Sequence, residues 1–261
     1  VPTFKARALV LRRVPLGEKD KIVTLLTREA GKLRAVAKGA RGTSSRLSGA
    51  TEPLTVFEGL FSSGNRLDIL SQAEVRETFG ALRTDYGLLL RATYLCEIVD
   101  HLVLDRDPQP DVFDVLVTGL YLLPGARQPD FVLHAIELQL LGLLGYEPRL
   151  GACMRCDCGF GKHLRPVAFF PGYGGVLCGA CTELLSERWI PCGPDVLAAI
   201  DRLATITDTR ELLGGELTGT VMGPVHRILR AHLKARLDRE LRSSAFLEAY
   251  RLEEADIQDG V

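Results

Sequence analysis

No run of about 18 uninterrupted apolar residues occurs in the chain, so a membrane-spanning helix is excluded as a reading. The nearest approach, FVLHAIELQLLGLLG, carries His134, Glu137 and Gln139 and reads as a buried amphipathic helix. The first residues lack the charged-then-apolar pattern of a leader. A cytoplasmic location is expected, where disulfides are rare. Nucleotide-binding and hydrolytic signatures are also missing. Gly31-Lys32 and Gly161-Lys162 have neither the spacing of a P-loop nor its following Ser or Thr. There is no GxSxG, no GxGxxG after a strand, no HExxH and no EF-hand loop. The five histidines, His101, His134, His163, His226 and His232, are scattered, and nothing nominates an enzyme.

Net charge is only −1, but the sum hides an asymmetry. Residues 1–50 hold twelve Lys or Arg against Glu18, Asp20 and Glu29, or +9, and the remainder holds 20 against 30, or −10. A basic first segment on a near-neutral chain suits a polyanion, although a solvated face gives the same count. Arginine outnumbers lysine by 25 to 7, which favours bidentate phosphate recognition or reflects codon bias.

Residues 3–78 read as β. In FKARALVLRRV, Ala6, Ala8 and Val10 share one face; in KLRAVAK, Leu33, Ala35 and Ala37 oppose Arg34, Val36 and Lys38. KDKIVTLLTRE lies between them, and PLTVFEGLF and RLDILSQAEV form a hairpin around SSGN. Five short strands predict a small barrel or sandwich; an OB barrel fits strand number and length, and an SH3-like barrel fits nearly as well. From about residue 75 the period becomes helical, with Leu82, Tyr86, Leu89, Tyr94, Ile98 and Leu102 recurring at three and four. Further helices are expected over PDVFDVLVTGLYLL, DFVLHAIELQLLGLLG, GPDVLAAIDRLAT and GPVHRILRAHLKARLDRELRS. The fold class is multidomain α+β: a five-stranded OB-fold barrel over 1–79, then a mostly helical domain over 80–261. A zinc-ribbon-like insert at 150–192 interrupts the helices.

That insert concentrates the cysteines. Cys153-x-x-Cys156 and Cys178-x-x-Cys181 stand 21 residues apart. Two such pairs form two knuckles that present four soft ligands to a tetrahedral ion. Cys158 competes for one ligand place, whereas Cys96 and Cys192 read as buried small residues. Four thiolates would fill the tetrahedron and leave no open position for catalysis, so the expected cofactor is structural Zn²⁺. A dithiol redox pair is the alternative, but such pairs sit at a helix start in a βαβ unit, and none is evident.

Three stretches resemble the RecO family of bacterial recombination mediators. VLRRVPLGEKDKIVTLLTREAGKLRAVAKGAR is similar to the family's opening, the two CxxC pairs with GG before the second resemble its zinc module, and LKARLDRELRSSAFL is similar to its closing helix. The resemblance implies an N-terminal OB fold, a helical bundle and a zinc insert that some members lack. It implies binding to single- and double-stranded DNA, annealing of complementary strands, and no nucleotide hydrolysis. It also implies work with RecR to help RecA replace the single-strand-binding protein, whose acidic C-terminal tail the family binds. RecA is then an indirect partner, no membrane is involved, and the location is the bacterial nucleoid.

On this reading a basic groove on the barrel tracks phosphates. Arg34 and Lys38 share a strand face, and Arg41 continues into the loop GARGTSSR, which adds Arg46. Arg12, Arg13, Lys19 and Lys21 are second-tier candidates. Phe4, Phe57 and Phe61 are the aromatics that could stack bases, with core packing favoured for Phe57 and Phe61. Partner binding falls to Arg227, Arg230 and Lys234, with Arg236, on the closing helix. The competing class is a zinc-stabilised adaptor whose barrel binds protein and not DNA.

Overall fold

The computed structural model describes residues 2–42, 45–160, 166–183 and 188–259. The chain divides into two compact units, Val1–Pro124 and Gly125–Val261.

The first unit begins with β1 (Thr3–Leu16), β2 (Asp20–Thr27) and β3 (Gly31–Ala37). A short α1 (Arg46–Ala50) follows, then β4 (Val56–Ser62) and β5 (Asp68–Glu77). The strands close into a barrel in the order β1-β2-β3-β5-β4. Every pairing is antiparallel except β3 with β5, where Ala35, Val36 and Ala37 lie beside Asp68, Ile69 and Leu70. Insertion of β5 between β3 and β4 is OB connectivity, which decides the choice that strand patterning left open. The alternation read from the sequence is the inside of this barrel: Ala6, Ala8, Val10, Leu33, Ala35 and Ala37 are all buried. Small residues there leave room for Phe57 and Phe61, both fully buried. Gly59 sits between those rings; a Cβ at that position would lie 2.6 Å from Phe61 and 2.8 Å from Phe57. Strict alternation in β1 fails after Val10, where a register shift between Val10 and Arg12 bends the strand.

The tight turns are set by single residues. Gly31 has φ +72, and Thr27 Oγ1 accepts from Ala30 N–H at 3.1 Å and donates to the Gly31 carbonyl at 2.7 Å. A Cβ on Gly31 would strike the backbone of Asp107, so only glycine fits. The end of the loop GARGTSSR starts α1, with Ser45 as its N-cap; Thr43 and Ser44 lie outside the described residues.

The barrel strands end at Glu77, but the unit continues through α2 (Gly80–Thr84), α3 (Tyr86–Leu102) and α4 (Pro110–Leu122). The last two pack on β1 and β2. As a result Leu9, Leu11, Thr24 and Leu26 are buried although they point out of the barrel.

In the second unit α5 (Pro129–Leu143) is buried along most of its length. A three-stranded sheet follows, ordered β7-β6-β8, from β6 (Pro166–Phe170), β7 (Gly175–Cys178) and β8 (Ile190–Pro191). Short α6 (Gly179–Thr182) leads from β7, and α7 (Pro194–Thr205), α8 (Thr209–Gly214), α9 (Gly219–Leu237) and α10 (Arg242–Asp259) complete the unit. The expected closing helix is therefore two. Asp238 adopts φ 52 and turns the chain, so Leu241 packs from outside the helix that was to contain it.

Candidate cysteine centre and nucleic-acid face

The Sγ atoms of Cys153, Cys156, Cys178 and Cys181 lie within 4.8 Å of one another. Cys153 and Cys156 form a knuckle. Asp157 N–H donates to the Cys153 carbonyl at 2.9 Å, Cys153 N–H to the Cys158 carbonyl at 2.9 Å, and Asp157 takes φ 56 to close the turn. Cys178 ends β7 and Cys181 lies in α6. The knuckle is docked on that strand by Met154 N–H, which donates to the Val176 carbonyl at 3.0 Å. Gly175 must lack a side chain, because a Cβ would lie 2.5 Å from the Arg149 carbonyl and 2.6 Å from Met154.

The donor set fits a tetrahedral ion. Four sulfurs bound at about 2.3 Å stand about 3.8 Å apart, and Cys156 and Cys178 are separated by 3.8 Å. Burial opposes ionisation of Cys153, but the N–H groups of Cys156, Cys178 and Arg155 outweigh it and bring the thiol down to about 6. Cys156 is lowered chiefly by the N–H of Cys158. Burial and the neighbouring thiols push Cys181 up to about 12. A central divalent cation would hold all four sulfurs as thiolates. Cys158 is outside the four-sulfur group although its Sγ is 3.3 Å from that of Cys156. Cys96 and Cys192 are buried elsewhere, as expected.

The basic segment looks different once folded. Six of its twelve cations are ion-paired: Arg7 with Glu58 at 2.9 Å, Arg12 with Asp100 at 2.6 Å, Arg13 and Lys21 each with Glu52 at 3.0 Å, Arg28 with Asp114 at 2.9 Å, and Lys32 with Asp105 at 3.5 Å. Among the described residues Lys5, Lys19, Arg34, Lys38, Arg41 and Arg46 have no carboxylate within ion-pair distance. Arg34 projects outward from β3, and Lys38 is exposed just beyond that strand. Arg41 is tied to the β1–β2 turn: its backbone N–H donates to the Lys19 carbonyl at 2.9 Å and its guanidinium to the Gly17 carbonyl. Lys19, Lys38 and Arg41 thus gather at one end of β3.

Lys21 and Arg13 are engaged within the fold. Lys21 is only 4% exposed, and its ammonium donates to Thr51 Oγ1 at 3.2 Å and Glu52 at 3.0 Å. It anchors α1 and does not face solvent. Arg13 shares the same carboxylate. Arg46 is exposed but lies over β4 and β5, away from Arg34. Phe57 and Phe61 are in the core as expected, and Phe4 is half-buried and stacked on Phe61 at 5.2 Å.

On α9, Arg230 pairs with Glu240 and Glu248, and Lys234 with Glu240 at 3.6 Å. Arg236 donates to the Pro171 carbonyl at 3.5 Å. These cations are therefore neutralised or engaged locally. Arg227 is exposed beside a cavity of about 330 Å³ lined also by Met222, His226 and Arg251. The periodicity of α9 located its faces but held no signal of the acids across it.

Residues 2–79 match the family model described as Recombination protein O N terminal, and residues 83–245 match Recombination protein O C terminal. The chain belongs to the RecO family. Its relatives are named DNA repair protein RecO. That of Symbiobacterium thermophilum is 37% identical over 249 residues, 95% of this chain and 98% of the relative. That of Cutibacterium acnes is 36% identical over 261 residues, 95% of this chain and all of the relative. That of Anaeromyxobacter dehalogenans is 42% identical over 201 residues, 76% and 78% of the two chains. Family membership makes this a DNA repair protein, and the barrel and the cysteine centre are its two candidate sites. Among the described residues no helix is long and apolar enough to cross a membrane.

Proposed function

We propose that the protein is a recombination mediator that binds single- and double-stranded DNA through the barrel and acts by binding rather than by catalysis. The observation that carries this reading is the set of cations left unpaired beside β3 while their sequence neighbours are neutralised. Arg34, Lys38 and Arg41, with Lys19, form the phosphate-tracking edge. In OB folds the strand 2–3 face and the β1–β2 turn take oligonucleotides, and the turn here is held against Arg41. Phe57 and Phe61 are fully buried and offer no stacking platform, and half-buried Phe4 is already stacked on Phe61. Strands are then gripped by the backbone with bases free to pair, which is what annealing requires. With RecR, the protein would help RecA displace the single-strand-binding protein; Arg227 is the α9 cation open to that protein's acidic tail. The cysteine centre holds Zn²⁺ as a closed structural clamp that ties the 153–156 knuckle to β7.

The test is single-strand DNA affinity against salt, for the parent and an Arg34→Ala/Lys38→Ala/Arg41→Ala variant. Loss of three phosphate contacts is expected to lower the log–log salt slope by about 2, at roughly 0.7 per contact. No binding by the parent at low salt would sink the reading and favour a protein-binding adaptor. An unchanged slope in the variant would move the DNA site off β3.

A further inference from the structure

The edge at β3 does not end where the candidate residues end. The parallel seam ends with Ala37 beside Leu70, and the exposed residues that follow them are Lys38 and Ser71. Ser71 lines a groove of about 660 Å³ whose other walls include Lys5 of β1 and Arg46 of α1. The floor is a register row, in which Gln72 of β5 pairs with Leu60 of β4, and Leu60 pairs with Lys5. From Lys38 to Lys5 this crosses three strand spacings, about 14 Å at roughly 4.8 Å each. Gln72, Arg46 and Lys5 are exposed and Leu60 is half-buried along it.

Charge along this route is uncompensated at both ends. Lys38 opens it, and Lys5 and Arg46 close it; none has a carboxylate partner among the described residues. The two acids in the groove are already occupied: Glu58 by Arg7 at 2.9 Å, and Glu74 by both terminal nitrogens of Arg76, at 2.7 and 3.1 Å. The opposite exit from β3 is closed, because Thr24 and Leu26 of β2 are buried under the helices. With β2 covered along that stretch, a chain of phosphates running from the β1–β2 turn over Arg34 and Lys38 has β5 as its open continuation.

The geometry points to a second nucleic-acid subsite, in which a single strand leaving β3 passes over Ser71 and seats its phosphates in the groove between Lys5 and Arg46. This rests on the reading of the barrel as the DNA-binding domain, and it adds length to the site rather than a new class of ligand.

The experiment compares a short and a long oligothymidylate, about 4 and about 12 nucleotides within the OB-fold range, on the full chain and on a Lys5→Ala/Arg46→Ala variant. Short-oligomer affinity in the variant is expected to equal the parent's, which also certifies its fold. For the long oligomer the salt slope is expected to fall by about 1.4, two contacts at roughly 0.7 each. The affinity gained by the parent between the two lengths should largely vanish. If the variant binds the long oligomer with the parent's slope, the groove is not on the path and this inference fails alone. If the variant loses short and long oligomers equally, the groove is no extension and the inference fails again. A parent that binds neither oligomer at low salt overturns the DNA-binding reading itself, and the subsite with it.

Discussion

Replacing Lys21 with methionine separates the barrel's scaffold from its binding edge. Methionine keeps the buried stem and removes the ammonium with its bonds to Thr51 and Glu52. Hydrogen bonds to a charged group are worth roughly 1.5–3 kcal/mol each, and an orphaned buried charge costs about 3–5 kcal/mol. The partners, however, are not orphaned. Thr51 Oγ1 has the Leu47 and Ser48 carbonyls to donate to, at 2.8 and 3.0 Å, and Glu52 keeps Arg13 at 3.0 Å and is one-third exposed. The loss should therefore fall at the lower end, about 1–3 kcal/mol, which shifts melting by roughly 2–4 °C per kcal/mol in a chain of this size. The assay is a thermal or urea unfolding midpoint, paired with single-strand DNA affinity below the transition. Stability should fall while affinity holds. Unchanged stability with weakened DNA binding would refute the assignment and return Lys21 to the nucleic-acid face.

Gly59→Ala forces a methyl between Phe57 and Phe61 and should cost about 1–3 kcal/mol in unfolding free energy; a neutral variant would show that the rings can part. The purified protein should carry one zinc per chain by elemental analysis, and Cys153→Ser should lower that content while DNA affinity through the barrel is kept. Full occupancy in the variant would remove Cys153 from the ligand set. Acid should loosen the second unit. Burial, then Arg251, hold His226 down to about 4, so it stays neutral in the fold while an unfolded chain takes up a proton below about 6.5. Stability present above pH 6.5 is then lost as pH falls toward 4, by an amount on the order of 3 kcal/mol. His226→Gln should flatten that pH dependence, measured as urea midpoints across the same range.

The sequence made legible whatever depends on local pattern. Alternation over Ala6–Val10 and Leu33–Ala37 located the barrel interior, and the spacing of Cys153, Cys156, Cys178 and Cys181 located the four-sulfur cluster. What stayed hidden depends on distant partners. Arg12 meets Asp100 and Arg28 meets Asp114 across more than eighty positions, so half the apparent positive charge was never available to a ligand. Lys21 sits at an inward position of β2, where period alone would have argued against a solvent contact. The break between α9 and α10 has neither glycine nor proline to announce it, only an aspartate able to take a left-handed turn.

The helices lying on β1 and β2 also bear on how the protein is made. The barrel's last strand ends at Glu77, yet α4, which covers β2, is not complete until Leu122, 45 residues later. At roughly 5–20 residues per second a ribosome needs about 2–9 s for that stretch. Until then Leu9, Leu11 and Leu26 form an apolar strip on an otherwise closed barrel, open to whatever else is nearby. A barrel cut at residue 79 carries that strip permanently and is expected to self-associate, whereas a cut at residue 124 keeps it covered.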